Sequence, residues 1–123
     1  METSLISGKC VPCRAGESHL SETKTKEYLE QVGNWHLVTI DRNSQMVKTL
    51  QKRFQFKDFR QAMAFLRDVE TLAESENHHP DFSLHYNIID FTLYTHVVGG
   101  LHQNDFILAA KLDQLASGFN KNS

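Results

Sequence analysis

The sequence predicts an α+β fold: an antiparallel sheet of four strands covered by helices on one face, in the order α-β-β-α-β-β-α. Two observations carry this expectation. Four short β-prone runs fall into two pairs, each pair close enough to form a hairpin. Apolar residues at helical spacing occupy the segments before, between and after those pairs.

Taken in order, residues 1–20 show no periodicity and carry Ser, Gly, Pro and Cys, and they read as an N-terminal arm. A helix begins at Ser21, a capping residue preceded by Leu20, and sets Tyr28, Leu29 and Val32 on one face. Gly33 and Asn34 end it as a left-handed cap would. Residues 35–40 are apolar and β-branched and read as a strand, and residues 41–44 have turn chemistry. Residues 46–56 alternate, with Met46, Leu50, Phe54 and Phe56 in phase, although Lys48 and Lys52 share that phase.

Asp58 caps the most regular helix, which places Phe59, Ala62, Met63, Leu66, Val69 and Ala73 on one stripe. Arg60, Arg67, Asp68 and Glu70 fall outside the stripe. The helix ends near Asn77, because Pro80 disfavours helical backbone before it. Residues 82–87 form a short strand and residues 88–97 a cleaner one. In the latter Ile89, Phe91, Leu93, Thr95 and Val97 point one way, and Asp90, Thr92, Tyr94 and His96 the other. Gly99 and Gly100 break the alternation. A last helix over about residues 104–119 buries Leu108, Ala109, Leu112, Leu115 and Phe119. Residues 21–119 therefore make one domain without an internal linker, and residues 120–123 are a short tail.

Composition narrows the class of function. The chain has 123 residues, 40% apolar and 23% charged, enough to bury a core without disulfides or a structural metal. A net charge of −2 gives no electrostatic reason to expect direct nucleic-acid or membrane binding. No run approaches the roughly 18 apolar residues of a membrane span. Residues 1–20 lack the apolar core of a secretory signal, so a cytoplasmic location is expected. Cys10 and Cys13 form a C-x-x-C pair, but no strand precedes it and only His19 lies near as a further ligand. Two reduced thiols in the arm are the expectation.

Seven histidines are the unusual feature. His19, His36, His85 and His102 stand alone and read as surface or partly buried residues. Glu74, His78, His79 and His96 are the informative group. Glu74 lies one helical turn before His78, and the adjacent histidines project from a corner that Pro80 fixes. His96 belongs to the polar face of the last strand, near its end. An antiparallel sheet can bring that end beside the corner, so that imidazoles and a carboxylate line one pocket. Imidazole both gives and takes protons near neutral pH. Zinc is the competing use of three histidines. Consecutive side chains diverge, however, and the H-H-P spacing lacks the i, i+4 pair of a helical zinc site. A histidine-rich turn without function is the third reading.

The run from Glu74 to Asp105 resembles the signature of the pterin-4a-carbinolamine dehydratase family. It supplies Glu74, His78-His79-Pro80, Tyr86 with Asn87, Thr95-His96, Gly100-Leu101 and Asp105 at the family's spacing. Leu20-Ser21, Gly33-Asn34-Trp35 and Arg53-Phe54-Phe56 extend the resemblance over about a hundred residues. It implies a four-stranded antiparallel sheet with helices on one side. It also implies removal of water from a 4a-hydroxytetrahydropterin to give quinonoid dihydropterin, with neither metal nor organic cofactor, in tetrahydrobiopterin recycling. His78 and His96 are then the candidates for acid and base, in an order the sequence leaves open, and His79 holds the pterin. Glu74 orients an imidazole or meets the substrate, and the matching positions Asn77, Pro80, Tyr86 and Thr95 are expected to contact it.

The resemblance further implies a homodimer or homotetramer. Two other roles stay open with it: a dimerisation cofactor of a transcription factor, and a dehydratase-like protein of molybdopterin metabolism. Three positions depart from the family pattern. Asn77 stands where animal members carry Asp, and Phe82 where many have Trp. His102 replaces the usual Ser or Thr before the last helix, a loss of about 1 kcal/mol unless Asn104 or another group takes over the cap.

Overall fold

In a computed structural model the described residues are 20–95 and 98–120. They form α1 (Glu22–Leu29), β1 (His36–Arg42), β2 (Gln45–Gln55), α2 (Phe59–Glu76), β3 (Asp81–His85), β4 (Ile88–Leu93) and α3 (Gln103–Asn120). The order is the expected α-β-β-α-β-β-α, and the four strands make one antiparallel sheet ordered β1-β2-β4-β3. Cys10, Cys13, His19 and His96 lie outside the described residues.

Local chemistry sets the joints. Asn43 and Ser44 both take positive φ, 52° and 67°, as a two-residue turn between twisted antiparallel strands requires. Asp58 caps α2 by accepting the Gln61 amide at 2.9 Å. Asn77 ends α2 in the left-handed conformation, φ 54°, which its short polar side chain tolerates. Ser21 caps α1 through the Lys24 amide at 3.2 Å.

One face of the sheet carries the core. Leu50, Phe54, Ile89, Phe91 and Leu93 are buried there with Phe65 and Val69 of α2 and with Phe106, Leu108 and Leu112 of α3. Phe65 meets Phe54, Phe56, Phe91 and Phe119, so an aromatic cluster holds α2 and α3 to the sheet. The other face is polar: Arg53 holds Asp90 through two hydrogen bonds, 2.8 and 3.2 Å, between paired strands. The Arg53 hydrogen bond keeps the Asp90 carboxyl below its ordinary range, against a small opposing effect of burial.

Three expectations are corrected. The α1 helix stops at Leu29 rather than at Gly33, because the chain tightens into i→i−3 turns, Gln31 to Tyr28 and Val32 to Leu29. Asn34 still takes a left-handed φ of 61°. The buried stripe of α2 is Ala62, Phe65, Val69, Ala73 and Glu76; Phe65 belongs to it, whereas Phe59 is 49% exposed. The last strand ends at Leu93 rather than at Val97. Its successor Thr95 leaves the sheet to pair with Gly100, and its hydroxyl turns to Asp105.

Candidate active site

The site grows from the end of α2. Because Asn77 turns the backbone left-handed, the next two side chains leave the helix in different directions. His78 points inward and is 15% exposed; its Nε2 lies 2.8 Å from Asp105 Oδ1. His79 points outward and is 57% exposed; its Nε2 lies 2.7 Å from Glu74 Oε2. Each imidazole is thus backed by its own carboxylate. A carboxylate only accepts, so in both couples Nε2 carries the proton and Nδ1 is left as the basic nitrogen. Glu74, which the sequence placed one turn before His78, bonds His79 instead.

Asp105 closes the signature but was given no role from the sequence, and the structure places it behind His78. It is fully buried, and besides His78 it accepts the Thr95 hydroxyl and the His102 amide, each at 2.9 Å. The capping deficit expected at His102 is corrected here. The ring itself serves as the cap, its Nδ1 accepting the Asn104 amide at 3.1 Å. Asp105 reaches back to the His102 amide, so residues 102–105 form a capping box with imidazole in place of a hydroxyl. An Asp three residues after the capping position, in the first turn of α3, was the available signal.

A cleft of about 330 Å³ opens beside His79. Leu66, Val69 and Ala73 of α2 line it, with Pro80 and Phe82 across from them and Glu70 and Glu74 present beside His79. Of the residues expected to contact substrate, Glu74 and Pro80 line this cleft. Asn77 is exposed at the helix end and Thr95 is engaged with Asp105. Tyr86 sits at the far end of β3, 65% exposed with φ 57°, about five strand residues or roughly 16 Å from Pro80. The structure does not bring it to this corner. Among the described residues no group of three or more His, Cys, Asp or Glu is arranged to hold a metal ion.

The fold and site together are those of a small α+β domain with two imidazole–carboxylate couples beside an apolar cleft. The chain belongs to the family described as Pterin 4 alpha carbinolamine dehydratase, whose sequence pattern matches residues 18–115. It is 40% identical over 114 residues to a protein of Halorhodospira halophila, covering 93% of this chain and 99% of that one. It is 42% identical over 107 residues to one of Chlorobium luteolum, covering 87% and 90%. Both carry the provisional name pterin-4-alpha-carbinolamine dehydratase. A Brucella melitensis structure described as a transcriptional coactivator/pterin dehydratase matches with TM-score 0.71 and 31% identity, covering 80% of this chain and 99% of that one. A pterin dehydratase-like protein described as a RuBisCO assembly factor matches with TM-score 0.55 and 25% identity, over 67% and 88%.

Proposed function

We propose that the chain eliminates water from a 4a-hydroxytetrahydropterin by histidine acid–base catalysis. A proton goes to the C4a hydroxyl, the C4a–O bond breaks and water leaves. The N5 lone pair forms the C4a–N5 double bond, and a base removes the N5 proton to give quinonoid dihydropterin. The observation that carries this reading is the buried couple of His78 and Asp105, 2.8 Å apart. A carboxylate on one ring nitrogen stabilises the imidazolium that forms when the other takes a proton. That suits His78 to the N5 side and leaves the hydroxyl side to His96, carried over from the family signature. His79, held by Glu74 at the cleft, positions the ring. Pro80 contacts substrate at the cleft, Asn77 ends the helix just before the histidines, and Thr95 holds Asp105.

Dehydration of an enzymatically generated 4a-hydroxytetrahydropterin, followed against the spontaneous rate, tests the proposal. Turnover that survives dialysis against a strong chelator is expected. Loss on chelation with recovery on adding zinc counts against it. The same reading includes a place in tetrahydrobiopterin recycling, a homodimer or homotetramer and a cytoplasmic location. No helix among the described residues is long and apolar enough to cross a membrane. A second role as a protein partner is supported by the double description of the Brucella relative. A variant that binds such a partner while lacking both histidines of the acid–base pair would separate the two roles.

A further inference from the structure

The cleft beside His79 is lopsided in composition. Leu66, Val69, Ala73, Pro80 and Phe82 give it apolar walls. Its charged groups are Glu70 and Glu74, and only His79 offsets them. Glu74 is engaged by His79 at 2.7 Å, whereas Glu70 has neither an ion pair nor a hydrogen bond from its side chain among the described residues. Glu70 is exposed on α2, one turn before Glu74, so both carboxylates stand on the same flank of the helix.

The chemistry of the substrate class says what this space faces. In a tetrahydropterin the reacting carbon C4a is bonded to N5, and N5 is bonded to C6, which bears the substituent. A ring held with N5 and C4a at the histidine corner must therefore place its substituent within two bonds of that corner. The cleft adjoins the corner: His79, Glu74 and Pro80 line it, and His79 follows His78 directly in the chain. At about 330 Å³ it stands at the lower end of small-molecule sites, with room for part of a bicyclic ring and a short chain.

Resting on the dehydratase reading above, we propose that this cleft receives the C6 substituent and that Glu70 makes the enzyme discriminate against anionic ones. Short alkyl or hydroxyalkyl substituents meet apolar walls and find an acceptor at the rim. A phosphate ester or a carboxylate there faces Glu70, while His79, the basic group of the cleft, is engaged by Glu74. Like charges several ångströms apart at a solvated rim lower kcat/KM about tenfold, with a dependence on salt.

The test compares kcat/KM for 4a-hydroxytetrahydropterins bearing a 6-methyl, a 6-hydroxyalkyl and a 6-phosphoalkyl group. It uses the full chain, its E70Q variant and its E70K variant. The ratio between substrates within each protein is the readout, so a general loss of activity cancels. The phosphorylated substrate is expected to be about tenfold poorer with the unaltered chain at low salt. The ratio should approach unity in E70Q and invert in E70K, and added salt should shrink each difference. Turnover of the neutral substrates with a ratio that E70K does not move overturns this inference alone. No turnover of the neutral substrates overturns the dehydratase reading and this inference with it.

Discussion

His78 and His79 are neighbours in sequence and opposites in environment, and this decides how they should respond to substitution. His78 is 15% exposed and bonded to a buried carboxylate, whereas His79 is 57% exposed and bonded to a surface one. H78A and H96A should therefore lower kcat by roughly 10²–10⁴, the usual contribution of a positioned acid or base. H79A should act mainly on KM, because its role is to hold the ring. Steady-state kinetics of the three variants check this, and an H79A enzyme with the lowest kcat would reverse the assignment. The H-H-P corner and its glutamate were readable from spacing. Asp105 was readable as a position of the signature but its bond to His78 was not, because its partners His78, Thr95 and His102 come from separate parts of the chain and meet only in the fold. His102 has a structural consequence of its own. H102A removes the ring that caps α3 and should cost about 1 kcal/mol, while H102N, with a good capping side chain, should recover most of it. Chemical denaturation of the two variants measures the difference.

At the scale of elements, period was readable and phase was less so. The 3.6-residue pattern marked α2, yet the expected stripe was offset by a fraction of a turn. It included Phe59 and left out Phe65, because Met63 and Leu66 flank the true centre and both are apolar. The structure supplies the phase through packing. F65A removes a fully buried ring from four aromatic neighbours and should cost about 3–5 kcal/mol. F59A, at a half-exposed position, should stay within about 0.5 kcal/mol. Among the described residues the expected alternation of the last strand fails at its end, where Tyr94 is buried and the Thr95 hydroxyl finds a partner outside the sheet. The polar face of the sheet carries a pH signature. The Arg53 hydrogen bond lowers the Asp90 carboxyl from its ordinary 3.8, so the folded state binds that proton less readily than the unfolded chain does. The stabilisation is complete above the ordinary value and is lost as pH falls through the lowered one. The pair is solvent-screened and its effect small. R53Q should lower the melting temperature slightly near neutral pH, and the gap to the unaltered chain should close on acidification below about pH 3.8. A gap that widens in acid would show the sign to be wrong.

On the scale of the whole molecule, α3 is where the separate parts meet. Its first turn holds His78 through Asp105, and its later turns hold the architecture. Asp113 accepts the Trp35 indole N–H at 3.1 Å and the Gly33 amide at 3.3 Å, and it pairs with Lys52 at 2.7 Å. That explains why Lys52 shares the apolar phase of β2: its charge is needed on the helix side of the sheet, where Asp113 waits. Lys111 likewise pairs with Glu76, a buried residue at the end of α2. Two carboxylates on one helix therefore have comparable networks and different duties. D113N and D105N each turn an acceptor into a group that meets existing donors, and each should cost about 1–3 kcal/mol. Their kinetics should diverge. Assayed well below its melting temperature, D113N should keep the kcat of the unaltered chain, since none of its partners touches the corner. D105N should lower kcat at least tenfold and alter the pH–rate profile, because the His78 imidazolium loses the carboxylate charge that stabilises it. Urea denaturation beside kcat for the two variants separates the duties. Equal losses of kcat in both would mean that Asp105 acts through general stability, and that His78 does not depend on it for proton transfer.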